Sequence, residues 1–202
     1  MLLALTFDDG PNTTTTPQVL DILEENRAVA SFFLIEKNIT PASEPVVRRA
    51  LSQGCEICNH SVSHLKMSQM TPEEIDREIR PCSDRIQGIT GYAPRFFRPP
   101  FIDVSPELFS NVDLTFICGS GCNDWMPEVT AQQRIQLVLS RARDGEIILL
   151  HDSEGNINTV EALRFLVPEL RRRGFRFVTC SQLFEENRIS PLPGHLYSNV
   201  FE

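Results

Sequence analysis

The sequence predicts an α/β protein built on a parallel sheet of about seven strands. Short apolar runs alternate with amphipathic segments along the chain, polar residues gather where the runs end, and no repeat or low-complexity tract breaks the pattern. Alternation of this kind marks successive βα units. The 202 residues suffice for one substantial core, so a single domain over 1–202 is expected.

Strands are expected at 2–7, 30–35, 56–58, 96–97, 114–118, 146–150 and 175–178. Between them, Thr16-Pro17 opens a helix with Val19, Ile22 and Leu23 on one face, combining a capping threonine with a first-turn proline. Thr71-Pro72-Glu73-Glu74 carries the capping-box acid. A third helix starts at Thr130 with Gln133 and is expected to stop at Gly145. The stretch 160–173 sets Leu163, Leu166, Val167 and Leu170 on one side, and its terminal arginines 171–173 are solvated charge that suits the helix dipole. Pro191 and Pro193 predict an irregular tail, in which His195 has no assigned role.

The 27 acidic against 19 basic residues give a net charge of -8, which repels nucleic acid and anionic membrane; a neutral or small substrate fits better. No apolar run approaches the roughly 20 residues of a membrane span, and the first ten residues read as a strand rather than a signal peptide. A cytoplasmic monomer is expected, or a secreted protein if the sequence is a trimmed domain. The six cysteines show no dense disulfide framework, so free thiols are expected, and Cys55-x-x-Cys58 lacks the second pair that a four-thiolate zinc site needs.

In parallel α/β folds the carboxyl ends of the strands form the active face. Four polar groups fall there: Asp8-Asp9, His60 with His64, Arg98, and His151-Asp152. Side chains alternate along a strand, so Asp8 and Asp9 must diverge and can take different jobs. His60 and His64 are spaced to reach one ion if they lie on a helical turn or tight loop, and Asp9 could complete a two-imidazole, one-carboxylate set with a position left open. Zinc held there would lower the pKa of its water toward about 7. Asp8 is then the natural general base, Arg98 can keep it ionised, and His151 can protonate a leaving group with its pKa raised by Asp124. On spacing alone, Asp124 reads as a solvated loop acid and Trp125 as a core aromatic.

T-F-D-D-G-P, N-H-S-x-x-H, R-P-P-F, N-D-W and L-L-H-D occur in this order between Thr6 and Asp152, and together they resemble the motif set of the polysaccharide deacetylases, the NodB-homology domain of carbohydrate esterase family 4. The resemblance implies a distorted (β/α) barrel and hydrolysis of acetyl groups on sugars with one divalent ion, zinc first and cobalt second. It also implies Asp8 as base, Asp9, His60 and His64 as metal ligands, Arg98 orienting the base, His151 as acid and Asp124 tuning it. Pro99, Phe101, Trp125 and Leu149 match residues that contact substrate or shape an acetyl pocket, and a backbone N–H near Phe101 matches an oxyanion donor.

The segments around 96–114 and 122–134 look most like clostridial acetylxylan esterase modules, which points to O-deacetylation of acetylated xylan or xylo-oligosaccharides. The rival is N-deacetylation of chitooligosaccharides or peptidoglycan. A non-catalytic sugar-binding module has no need of an acid, a base and their partners, and a phosphoesterase would need a phosphate cradle that the chain lacks. Phe101-Ile102 departs from the family's usual tyrosine-glycine, Asn123 holds a variable position, and Cys55 and Cys58 stand where histidine and glycine are commoner, which keeps a thiolate ligand open.

Overall fold

The computed structural model describes residues 1–202. Strand β1 (Leu2–Asp8) is flanked in parallel by β7 (Glu146–His151) along its whole length; on its other side it pairs with β2 (Ser31–Leu34) at its carboxyl half and with β8 (Arg176–Phe177) at its amino end. The sheet continues through β3 (Glu56–Asn59), β4 (Phe96–Phe97), β5 (Thr115–Ile117) and β9 (Leu196–Tyr197), and beyond β7 lies β6 (Ser120–Gly121). Every strand pairing is parallel.

Two residues, Cys118 and Gly119, join β5 to β6, and their amides donate to the Tyr197 carbonyl, while the Ile147 amide donates to the Ser198 carbonyl. The two ends of the sheet thus meet through the tail, giving the curled, distorted (β/α) barrel of the NodB-like fold. One expectation is corrected here: the sheet has nine strands, because β6 is the polar pair Ser120-Gly121 and β9 the isolated pair Leu196-Tyr197, neither set in an apolar run. The stretch 190–193 has no helix or strand, as expected, and leads into β9. Tyr197 is buried in it, and its hydroxyl accepts from the Leu192 amide.

Helices α1 (Thr15–Glu25), α3 (Pro72–Thr90), α5 (Ala131–Arg141) and α6 (Ile157–Arg172) match the expected segments, and α3 and α5 begin with the expected capping boxes. The start of α1 differs. Thr16 is inside the helix, and Asn12 does the capping, its Oδ1 accepting from the amides of Thr14, Thr15 and Thr16. Gly145 does not stop α5, which ends at Arg141; its positive φ instead turns the chain into β7. Short helices α2 (Glu44–Ser52), α4 (Pro106–Asn111) and α7 (Cys180–Glu186) were not anticipated. No helix is long and apolar enough to cross a membrane.

The period-two rule explains how β1 presents its acids. Leu3, Leu5 and Phe7 pack under the helices in the largest core cluster. Ala4 turns the other way, into a barrel interior filled by Phe33, Cys58, Phe96, Ile117 and Ile147. Thr6 and Asp8 stand on that same inner face, above the apolar layer, and are buried with it. A carboxylate in this position requires a partner, because an unpaired buried charge is costly. All six cysteines are unpaired. Cys55 and Cys58 are buried in separate core clusters, and burial pushes the Cys55 thiol up to about 11 and the Cys58 thiol well above its usual range. The possible thiolate ligand is thereby corrected: both sulfurs serve as core.

Candidate active site

Arg98 is the partner Asp8 needs. It follows β4, is fully buried, and donates from Nη1 to Asp8 Oδ1 at 2.5 Å, from Nη2 to Thr6 Oγ1 at 2.8 Å and from Nε to the Ile117 carbonyl at 3.3 Å. The guanidinium also lies 4.2 Å above the Phe33 ring, so the polar layer rests directly on the apolar one. The backbone of the same residue has a second task. Its carbonyl is 2.7 Å from His60 Nδ1, which fixes the proton there and leaves Nε2 with a free lone pair.

Asp9 leaves the strand with φ of 76°, which swings its carboxylate away from that of Asp8 and toward the histidines. Its Oδ1 is 3.6 Å from His60 Nε2 and 3.4 Å from His64 Nε2. The imidazoles sit on a tight loop: Ser61 and His64 have positive φ, the Asn59 side chain accepts from the Ser61 amide, and Ser61 Oγ accepts from the His64 amide. Asn59 also donates to the Ile79 carbonyl, and Ser63 is held by Glu78, so the loop is anchored on α3.

Ligating atoms of Asp9, His60 and His64 all lie within 4.8 Å of one another. Asp9 Oδ1 is buried and accepts no hydrogen bond. An orphaned acceptor facing two imidazole lone pairs is what a divalent cation would satisfy, and the donor set suits zinc and its neighbours. The protonation states agree. Burial would raise the Asp9 pKa, but the neighbouring imidazoles, His60 first and then His151 and His64, hold it below the usual range. Burial and the charge of His60 lower His64, keeping it neutral and able to ligate.

Asp8 and His151 are register partners on adjacent strands, so two ionisable groups end side by side at the barrel mouth. Asp124 grips His151 twice, its Oδ1 2.8 Å from Nδ1 and its Oδ2 accepting from the His151 amide at 2.7 Å. Burial alone would lower the His151 pKa, yet the hydrogen bond and charge of Asp124, then Asp8 and Asp9, push it up to about 9. At neutral pH the ring is a cation able to give up a proton. Asp124 is buried rather than the solvated loop acid of the spacing argument, and Trp125 is 56% exposed rather than core.

Trp125 packs edge-on to His151 and Phe101 leans on His64, so two exposed aromatic rings border the cluster. Phe101 adopts φ of 57°, carrying its ring out while Pro99 and Pro100 stay buried beneath. A Cβ on Gly121 would sit 3.6 Å from Leu149 and 3.9 Å from Trp125, so the absent side chain keeps open a space bounded by those two. A cavity of about 440 Å³ includes Asp9, and one of about 270 Å³ includes Asp124 and Trp125; both are lined by Ser153 and Glu154. The largest cavity, about 710 Å³, lies at the amino ends of β4 and β5 against the tail, away from the ionisable cluster.

The seven ionisable residues singled out by sequence thus converge on one strand-end face. Thr6, Asn59, Gly121, Arg134, Asn156 and Thr159 were missed. Of these, Thr6 and Asn59 alone stood inside recognised motifs, T-F-D-D-G-P and N-H-S-x-x-H.

Residues 1–114 match the polysaccharide deacetylase family model. The chain is 44% identical over 200 residues to a bifunctional xylanase/deacetylase of Pseudobutyrivibrio xylanivorans. This chain belongs to the polysaccharide deacetylases. That alignment covers 98% of this deacetylase and 33% of its relative, so the chain spans about a third of the bifunctional protein. Among solved structures, the Xyl-CE4 domain of a multidomain xylanase from the hindgut metagenome of Trinervitermes trinervoides superposes with a TM-score of 0.97 at 41% identity, covering 99% of this chain and 98% of that one. A family 4 acetyl xylan esterase from Clostridium thermocellum, in complex with a cobalt ion, superposes with a TM-score of 0.95 at 41% identity, covering 99% of each chain. The deacetylase is accordingly a hydrolase with the fold of carbohydrate esterase family 4.

Proposed function

We propose that this deacetylase removes O-acetyl groups from acetylated xylan or xylo-oligosaccharides, using Asp9, His60 and His64 to hold one divalent ion, zinc in preference to cobalt. The observation that carries the reading is the pairing of that three-ligand cluster with a base and an acid on neighbouring strand ends. A binding module has no need to bury Arg98 against Asp8 and Asp124 against His151, since the first pair orients a carboxylate and the second raises the proton affinity of an imidazole. The choice of xylan rests on the similarity to the xylanase/deacetylase and the acetyl xylan esterase.

A divalent cation at this cluster supplies Lewis-acid polarisation and a water of lowered pKa. The remaining work falls to the chain. Asp8, with Oδ1 engaged by Arg98, keeps Oδ2 for the proton of the attacking water. The acetyl methyl occupies the space between Leu149 and Trp125, and the backbone N–H near Phe101 donates to the oxygen that becomes negative. His151 passes its Nε2 proton to the departing sugar oxygen as the C–O bond breaks, giving acetate and a free hydroxyl.

The test is acetate release by the zinc-loaded protein from acetylated xylan and, separately, from chitin oligomers and peptidoglycan, with and without chelator. Chelator-sensitive release from xylan alone is expected. Release only from the N-acetylated substrates would overturn the assignment of the ester, and no release from any would overturn the catalytic reading.

A further inference from the structure

Arg134 lies on α5, outside every motif that marks the site, yet its side chain is almost wholly buried. Its Nε donates to the Val129 carbonyl at 2.9 Å and its Nη2 to the Met126 carbonyl at 3.2 Å, lacing the loop that follows Asp124. Its Nη1 donates to two side chains at the start of α6, Oδ1 of Asn156, the residue before the helix, at 2.5 Å and Thr159 Oγ1 at 2.7 Å.

Those last two bonds have directional consequences. A guanidinium can only donate, so Asn156 must face it with its carbonyl oxygen and Thr159 must accept through its hydroxyl oxygen. The opposite end of each side chain is thereby committed. Asn156 Nδ2 donates to the His151 carbonyl at 2.9 Å and the Asp124 carbonyl at 3.2 Å. The Thr159 hydroxyl donates to Asp124 Oδ2 at 2.8 Å, the same oxygen that takes the His151 amide.

We infer that Arg134, through Thr159 and Asn156, is a positioning residue for the acid of the reaction: it sets the direction of the protons that hold the Asp124 carboxylate and the His151 backbone in place. The inference rests on the reading of His151 as that acid. The Thr159 hydroxyl is fixed from both sides, because the guanidinium can only donate to it and the Asp124 carboxylate can only accept from it. The charged and titratable groups facing His151 are Asp124 from the loop after β6, Asp8 and Asp9 from β1, and His64 from the loop after β3. The Thr159 hydroxyl is the neutral donor that moderates the nearest of them. Without it, the Asp124 carboxylate is more basic, holds the imidazolium more tightly, and leaves His151 a poorer proton donor.

Arg134 variants risk misfolding, so the deciding change is Thr159→Val, which keeps the shape and removes the donor. In zinc-loaded protein turning over acetylated xylan, Thr159→Val is expected to lower kcat about tenfold with KM unchanged, the loss of one hydrogen bond to a charged group. The alkaline limb of the kcat profile should move upward, Thr159→Ser should restore both, and zinc content should stay that of the native protein. Native kcat and an unmoved limb in Thr159→Val would overturn the inference, as would a kcat loss that Thr159→Ser fails to repair. His151→Ala, assayed in parallel, separates the two readings: if it turns over normally, the acid assignment itself has failed; if it is inactive while Thr159→Val is native, only the relay has. Should Thr159→Val not fold, the His151 ring titration followed by NMR in Arg134→Lys decides, an unchanged midpoint counting against the relay.

Discussion

Two residue pairs set the chemistry: Arg98 fixes the Asp8 carboxylate in place through a buried ion pair, and Asp124 raises the proton affinity of His151. The second pair yields a pH prediction with a definite sign. His151 gains proton affinity in the folded protein, so it is charged, and competent as an acid, below a pH of about 9. Turnover should therefore fall as pH rises through that value. Asp124→Asn removes the charge and one ionic bond, and the limb should retreat toward the ordinary histidine value of about 6.5; a pH–rate profile that stays fixed would show that another group titrates. The same raised affinity stabilises the fold fully below about pH 6.5 and is lost as pH climbs through about 9. Asp8, Arg98 and His151 were legible because each stands in a short motif at a strand end, and Asp124 through the N-D-W resemblance, since on spacing alone it read as a solvated loop acid. Thr159, Asn156 and Arg134 were not, since a threonine and an asparagine near a helix start read as ordinary capping chemistry, and the polarity they acquire comes from an arginine that only the packing of α5 against α6 brings near.

At the scale of elements, the site depends on how the chain leaves β1. Gly10 follows the two acids, and a Cβ there would lie 2.6 Å from Asp152 Oδ2. Asp152 cannot give way: it is buried, it takes a 2.5 Å bond from the Thr16 hydroxyl, its carbonyl accepts from Asn12, and its amide donates to the Asp8 carbonyl. Gly10→Ala should thus cost about 1–3 kcal/mol of stability, read from urea unfolding, because it overpacks a rigid junction. A native midpoint would show that the turn relaxes freely. Seven strands were visible as apolar runs bounded by turn residues, whereas β6 is the polar pair Ser120-Gly121 and β9 an isolated Leu196-Tyr197 behind two prolines, so neither shows an apolar run. The capping boxes at Thr71 and Thr130 were legible because both halves are local in sequence. The cap of α1 was misread because Asn12 reaches into the helix from outside it, ahead of a run of four threonines that look like better candidates.

Across the whole molecule, the barrel is completed by residues near the carboxyl terminus. Tyr197 is buried against Phe184, and its carbonyl takes the amides that carry β5 into β6, so the tail holds the strands that present Asp124 and Gly121. Tyr197→Ala should cost about 3 kcal/mol, and its thermal midpoint should fall while the zinc affinity of the folded protein is kept; a fall in affinity equal to the fall in stability would tie the tail to the metal cluster instead. The central claim concerns that cluster, and a calorimetric zinc titration tests it most directly, run on the native protein, Asp8→Asn and Asp9→Asn. One site of similar affinity in the first two, with binding lost in Asp9→Asn, is the result expected from an ion held by Asp9, His60 and His64. Binding lost in Asp8→Asn but kept in Asp9→Asn would contradict it.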